Sequence, residues 1–406
     1  MIGYRASWVV PVGGPPLRDG WVVVADDRVV AVGTDRRRLI SAGEWREVDL
    51  GGAAIMPGLV NAHTHLELSY LRGRVPPRST FVAWVRALLA ERRRNPDVTT
   101  QEILDGIARG IADAVRSGTA VVADISNTLA TFALLAESPL AAAVFLELIG
   151  FNTRDPAGLV ERARERLNTL PTTGRIRASV AAHAPYSVAP LVFRAIAQAV
   201  EHHLIESSST HLAESVEELE FVRTGRGPWR DLLEELGAWD AAWVAPGVSP
   251  VRYLDDSGFL GTRTLAVHGV QMTPDDLAVL ASRRATLVTC PRSNAYTGAG
   301  TPPIEKFYHS GVRVAVGTDS LASAPDLNVF AELAAMRSLA PSVPARLLLG
   351  SATIVGAQAL GFDEYGVIEP GKRARLIAVD VPSGVDDVEE YLVAGIQPVQ
   401  IRWVEP

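Results

Sequence analysis

The segment LVNAHTHLELSY, residues 59–70, carries His63, His65 and Glu67 at every second position. On a β-strand this spacing directs all three side chains to one face. Imidazole and carboxylate groups together suit Zn²⁺ or another first-row divalent ion, so the segment predicts a metal site. The spacing alone does not decide between three possibilities: a site with three metal ligands, a site with two ligands and a neighbouring residue, or a coincidence.

Five of the eight histidines follow apolar runs that are typical of strands: His63, His65, His183, His211 and His268. A single histidine at a strand edge is more often an ordinary polar residue than a ligand. Five at strand ends indicate a shared site, because the carboxyl ends of the strands of a parallel barrel meet at one mouth. The run VRVAVGTDS ends in Asp319, a carboxylate that needs a cation or hydrogen-bond donors after an apolar strand.

We therefore predict one divalent ion held by four side chains from three strands: His63, His65, His211 and Asp319. Zn²⁺ is the expected ion and iron is the alternative. A second ion would need a bridging carboxylate or lysine at the fourth strand, and the only lysines, Lys306 and Lys372, lie far from it. A metal-free alternative, in which the same groups hydrogen-bond across the barrel mouth, stays open.

Glu214 follows His211 by three residues, where the strand passes into a loop. A divalent ion lowers the pKa of a bound water to about 7, and a carboxylic acid in a dry pocket can carry the released proton. We predict that Glu214 is this proton shuttle. The alternative is that it begins the charged run that continues with Glu217, Glu218 and Glu220, which we interpret as a solvated helix face.

These residues need strands to position them, and eight strand-like runs alternate with helical segments along the chain. The runs are residues 53–65, 119–126, 141–150, 176–187, 204–214, 264–270, 285–294 and 312–320. This rhythm predicts an α/β fold with a (β/α)₈ TIM-like barrel over residues 56–357. Short apolar runs in residues 1–55 and 358–406 predict a small β-sandwich formed by both ends. The long connection 215–262 is predicted to be a lid or a binding element.

The composition excludes several classes of protein. The net charge of −7 and the absence of a basic stripe argue against nucleic-acid binding. Cys290 is the single cysteine, so we expect no intrachain disulfide. The first residues lack the basic and apolar regions typical of a signal peptide, and no apolar run approaches about 18 residues. We expect a soluble cytoplasmic protein without membrane contact that acts on a small molecule, and a homodimer stays open.

Six motifs follow the strand-like runs in order: PGLVNAHTH, HAPYS, HLAES, VHGV, CPRSN and VGTDS. Together they resemble the amidohydrolase superfamily, in its mononuclear branch of cytosine-deaminase-like and chlorohydrolase-like enzymes. The resemblance covers essentially the whole chain and implies a hydrolytic deaminase of an amino-substituted heterocycle. One departure is Ala374-Arg375, where the family usually has Ala-Asp; it lies in the C-terminal segment and bears little on the chemistry.

The resemblance also implies a role for each site residue. His63, His65, His211 and Asp319 would hold the metal. Glu214 and Asp319 would move protons, His268 would orient the hydrolytic water, and His183 would contact the substrate. The catalytic set is therefore Glu214, His268 and Asp319.

HTHLELS followed by STFVAWVRALL is most similar to the aminodeoxyfutalosine deaminases of the alternative menaquinone pathway. This similarity implies conversion of 6-amino-6-deoxyfutalosine, an adenine-type nucleoside, to futalosine and ammonia. Relatives act on adenosine, S-adenosylhomocysteine, methylthioadenosine, guanine or chlorinated triazines, and these substrates remain alternatives. A cyclic-amide hydrolase would normally need the missing second ion, and a non-catalytic barrel would have lost ligands that are present here.

Substrate contacts are predicted from the neighbours of the ligands. Glu67 and Ser69 are candidates for binding the ribose or the base, with bracing of a ligand histidine as the alternative for Glu67. Trp84 is predicted either to stack on the base or to belong to the core. Trp229 and Trp243, in the long connection, are candidates for closing the pocket.

Overall fold

Apolar runs between turn residues form the strands of the computed structural model, which describes residues 1–39, 45–201 and 207–405. The strands near the chain ends are β1 Ile2–Val9, β2 Leu17–Ala25, β3 Arg28–Gly33, β4 Arg46–Asp49, β5 Ala53–Pro57, β14 Leu376–Asp380 and β15 Ile401–Val404. The strands between them are β6 Leu59–Thr64, β7 Thr119–Ser126, β8 Ala141–Leu148, β9 Ile176–Ala182, β10 Ser208–Leu212, β11 Thr264–His268, β12 Thr286–Thr289 and β13 Arg313–Val316.

Helices follow most of the inner strands and cover them. They are α1 Arg36–Leu39, α2 Phe81–Arg94, α3 Gln101–Arg116, α4 Thr131–Glu137, α5 Pro156–Asn168, α6 Pro190–Glu201, α7 Val216–Thr224, α8 Pro228–Glu235, α9 Pro250–Asp256, α10 Pro274–Arg283, α11 Pro291–Thr297, α12 Ile304–His309, α13 Val329–Leu339, α14 Ala345–Ser351, α15 Ile354–Ala359 and α16 Val388–Leu392. Short 3₁₀ helices span Leu66–Leu71 and Pro398–Gln400. No helix within the described ranges is both long and apolar enough to cross a membrane.

The inner strands form two parallel sheets, and each contains four strands of the described chain: β6 to β9 in one and β10 to β13 in the other. Backbone hydrogen bonds join the sheets at two seams. The His211 amide donates to the His183 carbonyl at 2.9 Å, and the Asp319 amide donates to the His63 carbonyl at 3.0 Å. The predicted TIM-like α/β barrel is confirmed, and predicted site residues lie at both seams.

The barrel strands are apolar on both faces because helices cover the outside and side chains fill the inside. Every residue of β7 and of β8 is buried. This explains why these strands read as continuous apolar runs in the sequence. The histidines and acids of the site lie at or near the strand ends.

The terminal segments meet in one sheet that has seven strands within the described residues. Strand β1 pairs with β2 in antiparallel fashion and with β4 and β5 in parallel fashion, and β14 pairs with β5 and with β15. The predicted association of the two chain ends is thus confirmed. Strand β5 then leads through Pro57 and Gly58 directly into β6, the first barrel strand.

Helix α3 supports the segment that follows His65. Ile103, Ile107 and Ile111 form its buried stripe. A side chain on Gly106 would lie 2.7 Å from the Tyr70 amide nitrogen, so the glycine lets the helix lie directly on the 3₁₀ helix Leu66–Leu71. The position of the segment after the two histidines is therefore fixed by backbone packing.

Asp124, at a buried position of β7, anchors the same segment. Its Oδ1 accepts a hydrogen bond from the Leu66 amide at 2.8 Å, and its Oδ2 accepts one from the Thr131 hydroxyl at 2.5 Å. Burial raises the pKa of this carboxyl to about 7 despite both donors. Asp124 is therefore protonated in the folded chain at pH values where an unfolded aspartate is ionised.

Asp124→Asn is expected to gain stability relative to the wild type as the pH rises from about 4 to 7. In that window the folded Asp124 keeps a proton that the unfolded chain has released, so its contribution to the free energy of unfolding falls with rising pH. Through this group the free energy of unfolding of the wild type can fall by about 1.4 kcal/mol per pH unit. Asparagine does not titrate, so the variant lacks this contribution. Urea unfolding of both proteins at pH 5 and pH 7.5 measures the difference, and equal slopes would contradict the assignment.

Candidate active site

Histidines and acids from four strand ends converge at the mouth of the barrel. The Nε2 atoms of His65 and His211 are 3.3 Å apart. Asp319 Oδ1 lies 3.6 Å from His65 Nε2 and 3.9 Å from His63 Nε2. The structure therefore brings the four predicted ligand side chains together, and His268 and Glu214 lie directly beside them.

His63 gives the clearest sign that this cluster fits a cation. The residue is completely buried, and neither of its ring nitrogens has a hydrogen-bond partner among the described residues. Buried polar atoms without a partner are rare because they cost free energy. Burial also lowers the pKa values of His63 and His65, that of His65 to about 3, which keeps the rings in the neutral form that binds metals.

Hydrogen bonds set different tautomers for His211 and His268. His211 Nδ1 lies 2.8 Å from the His183 carbonyl oxygen, which only accepts, so Nδ1 carries the hydrogen and Nε2 offers a lone pair. The Asn294 amide nitrogen donates to His268 Nδ1 at 2.9 Å, which leaves the hydrogen on Nε2. His211 is therefore prepared as a ligand and His268 as a hydrogen-bond donor.

Asp319 is oriented by two serines. The Ser293 hydroxyl donates to its Oδ2 at 2.6 Å, and the Ser323 hydroxyl lies 3.3 Å from the same oxygen. Oδ1 therefore remains for the histidines. The backbone at Asp319 is left-handed, with φ of 59°, as it is at His268, with φ of 79°. Such strain at non-glycine residues is concentrated at functional sites, where surrounding contacts hold it in place.

Glu214 is buried, and its Oε1 lies 3.5 Å from His268 Nε2. Burial raises the pKa of this carboxyl well above its ordinary value, which strengthens its hold on a proton. Its backbone is held by Glu218, whose carboxylate accepts hydrogen bonds from the amides of Ala213 at 2.8 Å and Glu214 at 2.9 Å. Glu214 is thus an acid of fixed position beside the cluster.

The predicted solvated face after Glu214 is wrong for two of its three residues. Glu217 and Glu218 are buried, and only Glu220 is exposed. Ser215 caps the N-terminus of α7, and its hydroxyl accepts a hydrogen bond from the Glu218 amide. The Glu218 carboxylate in turn accepts a hydrogen bond from the Ala213 amide, just before the helix. This reciprocal capping turns the third residue of the helix inward.

A cavity opens above the cluster, and His65, His211, Glu214, His268 and Asp319 are part of its lining. Part of its lining, which we call the apolar wall, includes Leu68, Phe81, Trp84, Tyr186, Trp229 and Leu232. The polar residues of the lining include Arg92, Asn127, Glu147 and His183.

The structure separates the predicted substrate contacts into two groups. His183 lines the cavity and its Nδ1 lies 2.6 Å from the Ser187 hydroxyl, and Trp84 and Trp229 are wall residues. Trp243 stacks on Phe221 instead, with ring centroids 5.0 Å apart, and is absent from the described lining.

Glu67 and Ser69 are not brought to the cavity in the described part of the chain. The Glu67 carboxylate accepts hydrogen bonds from the Ser126 and Thr128 hydroxyls and from the Asn127 amide, and it lies 3.5 Å from the Arg92 guanidinium. Among the described residues it has no hydrogen bond or ion pair with a ligand histidine. Ser69 packs against Gly110 of α3. Strand β6 ends at Thr64, and the 3₁₀ helix that begins at Leu66 breaks the alternation that would have placed Glu67 beside His63 and His65.

Sequence reasoning missed Glu147, Asn294 and Glu218. Glu147 stands in the run AAAVFLELIG, and a carboxylate at the end of an apolar strand is the same signal that identified Asp319. Asn294 belongs to CPRSN, but its contact with His268 depends on how β12 and α11 fold back. Glu218 carries no signal apart from its spacing from Ser215.

Comparisons with known proteins agree with this geometry. The sequence pattern of the Amidohydrolase family matches residues 54–400. Aminodeoxyfutalosine deaminase of Deinococcus radiodurans is 34% identical over 358 residues, which cover 84% of this chain and 81% of that protein. The 5-methylthioadenosine/S-adenosylhomocysteine deaminase of Moorella thermoacetica is 30% identical over 405 residues, which cover 95% and 88% of the two chains.

The similarity extends to three dimensions. The crystal structure of Helicobacter pylori aminofutalosine deaminase in complex with methylthio-coformycin matches with a TM-score of 0.86 at 26% identity. The match covers 100% of this chain and 98% of that chain. The family pattern spans most of the chain and includes every strand of the barrel, so the chain belongs to the amidohydrolase family.

Proposed function

We propose that this chain is a metal-dependent hydrolytic deaminase of an adenine-type nucleoside, with 6-amino-6-deoxyfutalosine as the substrate and futalosine and ammonia as products. One observation carries the proposal: His63 is buried, and its ring nitrogens have no hydrogen-bond partner among the described residues. It lies with His65, His211 and Asp319 beside the acid Glu214, and a largely apolar cavity opens above them. The Deinococcus and Helicobacter relatives support the choice of substrate.

The ligands in this proposal are His63, His65, His211 and Asp319, and one zinc ion is the expected occupant. Three neutral imidazoles and a carboxylate are the donors that zinc prefers, and iron accepts the same set. When bound there, the ion would lower the pKa of a water to near neutrality. His268 stays outside the ligand set because its Nε2 carries a hydrogen.

Glu214 is the proposed proton carrier. It takes a proton from the attacking water and delivers it to a ring nitrogen of the purine, while the water oxygen bonds to the carbon that bears the amino group. The step starts from the carboxylate form of Glu214. Because burial raises the pKa of this group, it holds the proton taken from the water until the ring nitrogen accepts it. His268 Nε2–H donates a hydrogen bond to the water, and Asp319 takes the second proton and passes it to the leaving ammonia.

The apolar wall binds and shields the base. Phe81, Trp84 and Trp229 are buried aromatic residues of this wall, and Tyr186 stacks on Trp229 with ring centroids 3.5 Å apart. Aromatic faces pair with a purine, and a dry site strengthens the hydrogen bonds that act on the reacting atoms. The long connection contributes Trp229 through α8, which agrees with a role in binding.

Ammonia release from a panel of substrates tests the proposal. The zinc-loaded protein is offered 6-amino-6-deoxyfutalosine, 5-methylthioadenosine, S-adenosylhomocysteine, adenosine and guanine, and chloride release is followed with a chlorinated triazine. We expect the highest kcat/KM for 6-amino-6-deoxyfutalosine. A higher value for 5-methylthioadenosine or S-adenosylhomocysteine, favoured by the Moorella relative, would replace the substrate but keep the reaction. Release of chloride without ammonia would overturn the reaction as well.

A further inference from the structure

The lining of the cavity includes a hydrogen-bonded group that we call the polar wall. It consists of Arg92, Asn127 and Glu147, which all line the cavity. The Asn127 amide nitrogen donates to Glu147 Oε2 at 2.8 Å, and Asn127 Oδ1 accepts from both terminal nitrogens of Arg92 at 3.3 Å. Asn127 therefore fixes an acid and a base side by side.

The hydrogen bond from Asn127 uses only one of the two carboxylate oxygens of Glu147. Its Oε1 accepts no hydrogen bond from the described residues, and the nearest ring nitrogen, His211 Nδ1, is 3.6 Å away. That nitrogen already donates to the His183 carbonyl at 2.8 Å. Burying a carboxylate is costly unless donors reach it, so a buried Glu147 that faces a ligand cavity calls for donors from the ligand.

The charges of the polar wall restrict what it binds. A ligand carboxylate would be repelled by Glu147, and an ammonium group would be repelled by Arg92. A hydroxyl group both donates and accepts hydrogen bonds, so an uncharged hydroxyl can donate to Glu147 or accept from Arg92. Two neighbouring hydroxyls match the acid and base that Asn127 holds together.

We propose that the polar wall binds the vicinal hydroxyl pair of the substrate's sugar, with Glu147 accepting from one hydroxyl and Arg92 donating to the other. This inference rests on the proposed function, because it assumes that the base occupies the catalytic end of the cavity. Glu147 contacts His211 on the side of the ring opposite to Nε2. The sugar then lies next to the metal ligands without displacing one.

A purely structural role for Glu147 would be served equally by glutamine, whose carbonyl oxygen accepts the hydrogen bond from Asn127. Glutamine would not serve the proposed role equally well, because it lacks the charge that strengthens the hydrogen bond from the sugar hydroxyl. Hydrogen bonds to charged groups are worth enough to change affinity roughly 10- to 100-fold. The isosteric exchange therefore separates the two roles.

The experiment measures kcat and KM of the zinc-loaded protein for its best ribonucleoside substrate and for the 2′,3′-dideoxy form of that substrate. We expect the wild type to favour the ribonucleoside roughly 10- to 100-fold, mainly through KM. Glu147→Gln should lose most of this preference while keeping its zinc and its activity on the dideoxy form. Glu220→Gln is the matched control: Glu220 is exposed on α7 and absent from the described cavity lining, so the same chemical change there should keep the preference.

Each outcome has a distinct meaning. Equal efficiency of the wild type on both nucleosides would overturn this inference and leave the deaminase proposal standing. Equal losses on both substrates in Glu147→Gln, or loss of zinc, would overturn it too, because Glu147 would then act through His211. If the wild type releases ammonia from no adenine nucleoside, the proposed function fails and the inference falls with it.

Discussion

Glu214→Gln is expected to keep its metal and to lose about 10²- to 10⁴-fold in kcat. Glutamine has the shape of glutamate, and the backbone hydrogen bonds to Glu218 do not involve the exchanged side chain. The amide cannot release and regain a proton, so transfer to the ring nitrogen loses its carrier. Ammonia release under substrate saturation gives kcat, and elemental analysis of the purified variant gives its metal content.

Glu220→Gln is the matched control for this variant. Glu220 lies six residues further along the chain and is exposed on α7, so the same chemical change there should leave turnover unaltered. Ammonia release by Glu214→Gln near the wild-type rate would refute the proton-carrier role. Loss of the metal together with activity would instead identify Glu214 as part of the metal site.

Gly317→Ala is expected to lower the free energy of unfolding by about 1–3 kcal/mol and to abolish stable metal binding. A Cβ atom at residue 317 would lie 2.7 Å from His63 Cβ and 2.8 Å from the His63 nitrogen and oxygen. Backbone atoms cannot turn aside as a flexible side chain does, so β13 must move away from β6. That movement breaks the bond between the Asp319 amide and the His63 carbonyl and separates two proposed ligands.

Urea unfolding and zinc content of the purified protein measure both effects. Gly261→Ala is the control, because a Cβ atom there would meet nothing within 4 Å and its backbone needs no left-handed conformation. Unchanged stability and full zinc content in Gly317→Ala would contradict the idea that close contact at this seam holds the site together.

The barrel could be predicted from sequence because its strands are buried on both faces, so each one reads as an apolar run with a polar end. The same rule located His63, His211 and Asp319, whose side chains the structure brings together. It would also have located Glu147, had the charged residue in AAAVFLELIG been weighed in the same way. Their roles as ligands stay predictions until metal binding is measured.

Other features depend on folding details that residue spacing does not encode. Glu67 shares the spacing of His63 and His65, yet the chain leaves strand geometry after Thr64, so Glu67 serves the turn after β7 instead. Glu218 resembles a surface acid but is buried as a helix cap. The hydrogen on His268 is set by Asn294, which the sequence places 26 residues away on another element.

The seam between β6 and β13 has a consequence for the order of events during protein synthesis. His63 stands on the first barrel strand and Asp319 follows the last, and a backbone hydrogen bond joins the two. A nascent chain on the ribosome therefore holds an incomplete ligand set until β13 has emerged and paired. A chain that terminates before Asp319 would lack both this seam and one of the four proposed ligands.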